Sequence, residues 1–303
     1  NKLLCTGVHN NCKLFYTKGI LRNPYDGTYR YKYAQMVARK NRLSYYDNHR
    51  VVKKNIAQLT DILRREFIMR NEPEIYRSDT GAVIAKEMWK VGRTSLSKVF
   101  EKTIRNNETN FVVDVLIDSS GSQGPRQDKV SLQGYILAEA LTRLGIPVRI
   151  TGFCTLWEYT IMNVYRDYDD PASINDRLFE YTATANNRDG LAVNAAVYSL
   201  TNRPEESKVL IVLSDGRPND VNINKPGSVA VDAYNGEPAL KDTALAVRHA
   251  RNLGIAVLGV FAGNEEDLQA EKRIFGKDFA YIRDLKDFSN VVGAYLKKQI
   301  SNM

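Results

Sequence analysis

The sequence predicts an α/β protein with a doubly wound, mostly parallel sheet and helices on both of its faces, preceded by a basic, partly helical N-terminal region. Two observations predict this fold. From residue 107 onward, short apolar runs alternate with amphipathic stretches, which is typical of parallel strands joined by crossover helices. Before that point the chain is rich in Lys, Arg and Tyr and shows one strong helical pattern. We therefore predict two parts, the N-terminal region 1–106 and an α/β domain over 107–303.

The strands of the second part are short runs that are apolar on both faces, such as "KVLIVLSD" (208–215). Strands of a parallel sheet have this composition because both of their sides are covered. Helices are indicated by apolar residues three and four positions apart. On these grounds we predict strands over 111–118, 147–154, within 157–170, and over 208–215, 255–262 and 279–285, and helices over 130–145, 189–200, 239–254, 264–276 and 289–300.

The N-terminal region contains an amphipathic helix, predicted over 47–70. Its apolar residues have helical spacing on a basic background; they are Val52, Ile56, Leu59, Leu63 and Phe67. A second, shorter helix is predicted over 83–91, whereas 1–32 has no clear periodicity. The helix over 47–70 either folds onto the sheet or docks a partner, and both alternatives stay open at this point.

Positive charge is concentrated in the N-terminal region. Residues 1–106 contain 22 Lys and Arg against 9 Asp and Glu, whereas 107–303 contain 21 against 26. A basic, Tyr-rich region of this kind suits nucleic acid, an anionic membrane surface or an acidic partner protein. The alternative is a solvated helical face.

The composition is that of a protein without a membrane span, because the apolar runs are far shorter than the roughly 20 residues that a membrane helix needs. Three cysteines in 303 residues do not suggest a disulfide framework. The chain begins at Asn1 without a charged and apolar leader. We therefore expect no signal peptide, an excerpt of a longer chain, and a cytoplasmic location.

Polar residues follow two of the predicted strands at the points where those strands end. Asp118, Ser120 and Ser122 come after the strand over 111–118, and Asp215 ends the strand over 208–215. Ligands of open parallel sheets bind beyond the carboxyl ends of the strands, and hard oxygen ligands suit Mg²⁺ or Mn²⁺. The sequence therefore predicts a divalent cation site. In the alternative interpretation, the serines cap a helix and Asp215 begins a turn.

The two stretches "DVLIDSSGS" and "IVLSDGRPND" resemble the metal-ion-dependent adhesion site of von Willebrand factor A-type domains, and the resemblance covers about 107–303. It implies a von Willebrand A-like fold and a bound Mg²⁺ that leaves one position open for an acidic residue of a partner protein. The family's ligands include a Thr from a middle loop. The other ligands that the resemblance implies are Asp118, Ser120, Ser122 and Asp215.

The middle loop, "YTATANNRDGLAVNAA", departs from the family's pattern, since no Thr stands directly before the predicted helix. Asn187 and Asp189 occupy that place, and either is a candidate ligand, with Thr182 and Thr184 as less favoured choices. In the alternative interpretation, Asp189 is only the N-cap of the helix.

A closer resemblance is to the C-terminal domain of nitric oxide reductase activation proteins, carried by "SDGRPND", "YNGEP" and "IFGKDFAYI". The "NNRDGLAVNAA" loop is similar to that of the related cobaltochelatase subunit. Members of both groups work beside a MoxR-type AAA+ ATPase. The resemblance implies a non-enzymatic adaptor that helps to activate a client metalloenzyme or load its metal. Residues 221–233 read as an addition to that pattern.

Other candidate sites are weaker. Cys5, His9 and Cys12 lie close together in the sequence, but structural zinc normally takes four ligands. No phosphate-binding glycine loop is present, so we expect no ATP hydrolysis by this chain. Two alternative functions stay open: a metal-dependent phosphohydrolase that uses Asp189 or Asp220 as a base, and nucleic-acid binding through 1–106.

Overall fold

The computed structural model describes residues 1–19, 28–70, 74–93, 98–104, 110–220, 233–261, 263 and 265–301. Within these residues the strands are β1 (Lys13–Thr17), β2 (Glu74–Ser78), β3 (Ala82–Val83), β4 (Phe100–Ile104), β5 (Phe111–Asp118), β6 (Val148–Leu156), β7 (Tyr159–Arg166), β8 (Ser207–Ser214), β9 (Ala256–Phe261) and β10 (Phe279–Tyr281). The α-helices are α1 (Tyr29–Arg70), α2 (Gln127–Arg143), α3 (Asp189–Thr201), α4 (Gly236–Asn252), α5 (Leu268–Phe275) and α6 (Phe288–Ser301).

The main sheet has the strand order β1-β7-β6-β5-β8-β9-β10 among the described residues. All neighbouring pairs are parallel except β6 with β7, which form an antiparallel hairpin. Helices cover both faces, because two separate apolar clusters lie on the two sides of the sheet. The predicted α/β fold with a mostly parallel sheet is therefore confirmed.

β5 lies in the middle of this sheet and positions the candidate site. Every residue from Phe111 to Asp118 is buried, as expected for a strand with neighbours on both edges and helices on both faces. Ile117 pairs with Leu213 of β8, and Asp118 pairs with Phe153 of β6. The ends of β5 and β8 therefore lie side by side at one edge of the sheet.

Helix α1 packs on the sheet domain through its apolar face, so the first of the two alternatives for the basic helix is the one observed. Val52, Ile56, Leu59 and Leu63 are buried in the same core cluster as residues of β5, α2 and α6. Full burial of each such side chain contributes roughly 1.5–3 kcal/mol. At Gly293 of α6 an added Cβ would lie only 2.9 Å from Ile62 Cδ1, so glycine allows the two helices to approach closely.

The helix begins at Tyr29 rather than near residue 47. The apolar periodicity misses this first part because one of its buried positions is polar. Asn41 is fully buried, and its side-chain Nδ2 donates hydrogen bonds to the carbonyl oxygens of Phe179 and Tyr181 at 3.0 and 2.9 Å. A buried amide with such partners anchors a helix as an apolar residue does.

Two features of the N-terminal region differ from expectation. The predicted helix over 83–91 is wrong: Ala82–Val83 is a strand and Ala85–Lys90 is a 3-10 helix. The N–H of Ile84 donates to the carbonyl oxygen of Val99, so strand pairing replaces the helical bond there. The second feature is β1, which pairs with β7 and extends the main sheet, although no strand is predicted within 1–32.

Both sides of residue 106 contribute to one core, through α1 on one side and α2, α6 and the sheet on the other. The domain boundary at that residue stays a prediction. The additional segment 221–233 lies, apart from Ala233, outside the described residues. None of the described helices has an apolar stretch of the length needed to cross a bilayer.

Candidate metal centre

The first part of the candidate centre is the turn after β5. Asp118 is fully buried, and its carboxylate accepts hydrogen bonds from the N–H of Ser120 at 2.8 Å and from the Ser120 hydroxyl at 3.1 Å. The hydroxyl oxygens of Ser120 and Ser122 lie 2.8 Å apart, and Ser122 is exposed. Ser120 precedes the 3-10 helix Gly121–Arg126 but makes no side-chain capping bond. The three oxygen-bearing side chains form one cluster that is open to solvent at Ser122.

The second part is the start of α3. Asp189 is buried, and its two carboxylate oxygens accept hydrogen bonds from Asn187 Nδ2 at 2.8 Å and from the Ser214 hydroxyl at 3.2 Å. Asp189 is the first helical residue and not the N-cap, which is Arg188. The N-cap interpretation of Asp189 is therefore wrong, because its carboxylate faces the end of β8.

Asn187 connects the middle loop to the loop after β8. Its Oδ1 accepts a hydrogen bond from the N–H of Asn219 at 3.0 Å, and its own N–H donates to the Asn219 carbonyl oxygen at 3.0 Å. Both polar atoms of the side-chain amide are thus engaged, one with Asn219 and the other with Asp189. In this arrangement Asn187 positions Asp189.

The third part is Asp215, directly after β8. It is buried, and its Oδ1 accepts a hydrogen bond from the N–H of Arg217 at 3.1 Å. The neighbouring Ser214 hydroxyl also accepts a hydrogen bond from the N–H of Gly216 at 3.1 Å, while it donates to Asp189. The turn after β8 is therefore tied to the start of α3.

Backbone hydrogen bonds join the middle loop to the turn after β5. Thr184 N–H donates to the Ser119 carbonyl oxygen at 2.7 Å, and Gly121 N–H donates to the Ala185 carbonyl oxygen at 2.9 Å. Thr182 and Thr184 line a cavity of about 600 Å³ beside these bonds, together with Cys154 and residues at the start of α1. The two threonines thus lie next to the candidate centre.

The three acids of the centre are buried at the same edge of the sheet. Burial raises the pKa of Asp118 well above its usual value, and the charges of Asp189 and Asp215 raise it further. Burial and the charge of Asp215 likewise raise the pKa of Asp189 to about 7. None of the ion pairs between described residues involves any of these three carboxylates. Such an arrangement favours a bound cation, whose charge offsets the repulsion.

Glu271 is a fourth acid at this site, and it is not among the residues predicted from the sequence. It lies on α5, is fully buried, and neither of its carboxylate oxygens has a hydrogen-bond partner. Burial and then the charges of Asp189, Asp215 and Asp118 raise its pKa well above the usual value. The sequence contains one indication that Glu271 is buried. It lies three residues before Ile274 and four before Phe275, and therefore on the apolar face of the helix.

The cysteine and histidine residues near the N-terminus have a different environment. His9 is buried, and its Nε2 lies 3.1 Å from Asp242 Oδ2. In the described part of the chain, no three or more His, Cys, Asp and Glu side chains are grouped as a metal site would need. The grouping of Cys5, His9 and Cys12 as metal ligands is therefore not supported. The same finding applies to Asp118, Asp189 and Asp215, so the candidate centre depends on serine hydroxyls as well as carboxylates.

Comparisons with known proteins agree with the fold. The model described as "Cobalamin biosynthesis protein CobT VWA domain" matches residues 99–164. Protein NorD of Brucella suis biovar 1 is 36% identical over 26% of this chain and 11% of its own length. The vWF domain of the pilus tip protein Mfa5 from Porphyromonas gingivalis superimposes with a TM-score of 0.50, at 11% identity, over 64% of this chain and 97% of that one. The chain contains a von Willebrand factor A domain.

This von Willebrand A domain is related to those of CobT and NorD. A further relative is YojO of Bacillus subtilis, described as uncharacterised, which is 24% identical over 88% of this chain and 42% of its own length. The chain spans less than half the length of these curated relatives.

Within the von Willebrand A domain, the structure brings the predicted residues to one edge of the sheet in two hydrogen-bonded groups. Asp118, Ser120 and Ser122 form the first group. Asn187 and Asp189 form the second with Ser214, next to Asp215. Three buried carboxylates without ion pairs, beside two hydroxyls, fit a hydrated divalent cation.

Proposed function

We propose that this von Willebrand A domain binds Mg²⁺, with Mn²⁺ as an alternative. The ligands come from Asp118, Ser120, Ser122 and Asp215, with Asp189 or Asn187 in the place of the family's Thr. The observation that carries this proposal is the set of three buried acids at one edge of the sheet, none of which forms an ion pair with a described residue, together with the two serine hydroxyls. We favour Asp189 as the replacement for Thr, because its carboxylate interacts electrostatically with Asp118, whereas the Asn187 amide holds Asp189 in place.

The bound cation would supply a positive charge that attracts a carboxylate of a partner protein. Exposed Ser122 marks the side from which such an acid approaches. The residues of this chain hold and orient the centre: the Ser120 N–H orients Asp118, and the Ser214 hydroxyl orients Asp189. The proposed biochemical role is therefore metal-dependent protein binding.

The relatives suggest a role in metalloenzyme activation or chelation, since they include NorD and a model for the cobalamin biosynthesis protein CobT. We propose the finer function of a non-enzymatic adaptor between a MoxR-type AAA+ ATPase and a client metalloenzyme. The hydrolase alternative is less favoured because Asp220, one of its two candidate bases, is buried in an ion pair with Arg188.

The metal part of this proposal is tested by titrating the chain with MgCl₂ in a calorimeter. We expect the unmodified chain to bind Mg²⁺ and Asp118→Ala to lose binding, because Asp118 lies at the centre of the cluster. Asp47→Ala is the matched control, since Asp47 is an exposed acid on α1. Equal Mg²⁺ binding by the unmodified chain and Asp118→Ala would show that the proposed metal site is wrong.

The adaptor part is tested by purifying the tagged protein from its native cell and identifying the proteins that accompany it. We expect a MoxR-type ATPase in the complex and its loss from Asp118→Ala, with Asp47→Ala behaving as the unmodified chain. If the ATPase is absent from the unmodified complex, the adaptor function is wrong even where Mg²⁺ binding is intact.

A further inference from the structure

Glu271 is a buried acid for which the fold itself provides no partner. Its side chain is fully buried, both carboxylate oxygens lack hydrogen bonds, and it takes part in no ion pair between described residues. Burying an unpaired charge costs several kcal/mol even after relaxation of the surroundings. A carboxyl group in this position therefore needs a proton or a nearby cation.

The position of Glu271 relates it to the candidate centre. Gly216 follows Asp215 and has a left-handed backbone with φ of +70°. A Cβ at Gly216 would lie 3.0 Å from Glu271 Oε2 and 3.3 Å from the Glu271 backbone nitrogen. Glycine thus gives the turn its conformation and leaves room for the carboxylate against it.

The contact continues from Gly216 into the acid cluster. Gly216 N–H donates to the Ser214 hydroxyl, which donates to Asp189. Glu271 therefore lies against the one turn that carries Asp215 and orients Asp189. Its electrostatic coupling is to the same three acids, Asp189, Asp215 and Asp118 in decreasing order.

We infer that Glu271 is an additional acid of the metal centre, which holds the hydrated cation by accepting hydrogen bonds from its coordinated water. This inference rests on the proposed function. Partners of this kind commonly change metal affinity by roughly 10–100-fold when they are removed.

The alternative is that Glu271 stays protonated and only fills space beneath the turn after β8. The two roles predict different results for Glu271→Gln, which keeps the shape of the side chain and removes its charge. Glu271→Gln also removes the cost of burying an unpaired charge. A space-filling role predicts unchanged Mg²⁺ affinity, whereas a cation-holding role predicts weaker binding.

The experiment titrates MgCl₂ into the full chain, Glu271→Gln and Glu265→Gln in a calorimeter, and records the rise in melting temperature that Mg²⁺ produces. Glu265 is the matched control because it is exposed, lies just before α5 and pairs with Arg283. We expect Glu271→Gln to raise the Kd for Mg²⁺ by about 10–100-fold and to reduce the Mg²⁺-induced rise in melting temperature. Glu265→Gln is expected to match the unmodified chain.

Glu271→Asp keeps the charge on a side chain one methylene shorter, and we expect it to bind Mg²⁺ more tightly than Glu271→Gln. Wild-type affinity in Glu271→Gln, while Asp118→Ala binds no Mg²⁺, overturns the role of Glu271 and leaves the metal site in place. If the unmodified chain itself binds no Mg²⁺, the proposed function and the role of Glu271 are both wrong.

Discussion

Strand β5 carries two buried acids four residues apart, and their surroundings are opposite in kind. Asp114, in the middle of the strand, is paired with Arg149, whose Nε donates to Asp114 Oδ2 at 3.0 Å, and it accepts a hydrogen bond from the Tyr168 hydroxyl at 2.8 Å. Asp118, at the end of the strand, has two other acids as its charged neighbours. A buried acid with its own cation serves stability, whereas the acids gathered without one are where we propose that a cation from solution binds.

The largest expected effect comes from removing the cation of the paired acid. Arg149→Met leaves Asp114 buried without a charged partner, which should lower the free energy of unfolding by about 3–5 kcal/mol. The loss is measured by urea unfolding and should be the same with Mg²⁺ and with EDTA. The double variant Asp114→Leu with Arg149→Met should recover much of it. A loss that depends on Mg²⁺ would contradict the separation of the two regions.

A smaller effect of opposite sign is expected at the unpaired acid. In EDTA, Asp118→Asn should raise the free energy of unfolding by about 0.5–2 kcal/mol, because it removes a buried charge that Asp189 and Asp215 repel. The amide can keep the hydrogen bond with Ser120. With MgCl₂ the order should reverse, since only the unmodified chain gains stability from bound cation.

The free energies of unfolding of the unmodified chain and of Asp118→Asn are measured with urea, each in EDTA and in MgCl₂. Asp114→Asn is the control from the paired region and should lose stability in both buffers, because Arg149 then lacks its carboxylate. If Asp118→Asn also loses stability in EDTA, the repulsion between the acids is not the dominant contribution at the end of β5.

The same contrast explains which of these acids and partners could be predicted from the sequence. Asp118 and Asp215 are predictable because each follows an apolar run, and the ends of parallel strands meet at one edge. Asp114 lies inside such a run and gives no sign of its partner, since Arg149 is 35 positions away and reaches it only through strand pairing. The local sequence pattern thus predicts where strands end. The partner of a side chain on a neighbouring strand can be predicted only when the register of strand pairing is known.

Two other features, β1 and Glu271, are not predicted from the sequence for related reasons. β1 is an edge strand of five residues that are mostly only half-buried or exposed, so it has no apolar run to reveal it. Glu271 sits on the buried face of a short helix, where an acid weakens the apolar pattern instead of adding to it. Elements and side chains whose environment is made by distant segments are those that the sequence does not reveal.

The smallest expected effect concerns a third acid, Asp242 of α4, which has a partner from the N-terminal segment. Its Oδ2 lies 3.1 Å from His9 Nε2 and accepts a hydrogen bond from the Tyr234 hydroxyl at 2.6 Å. Burial alone would raise the pKa of Asp242, but these two contacts and the charge of Arg188 outweigh it and lower the pKa. Asp242 thus has side-chain partners of its own, as Asp114 does.

A carboxyl whose pKa is lowered by folding stabilises the protein above its unfolded pKa of about 3.9 and loses that contribution as pH falls further. Asp242→Asn should therefore cost about 0.5–1 kcal/mol near pH 6, and the difference from the unmodified chain should shrink towards pH 3. Urea unfolding at both pH values measures it, with exposed Asp47→Asn as the control. Because Asp242 has its partners His9 and Tyr234 whether or not a cation is bound, the cost should be present in EDTA as well as with Mg²⁺; a cost that appears only with Mg²⁺ would make Asp242 part of the metal centre instead.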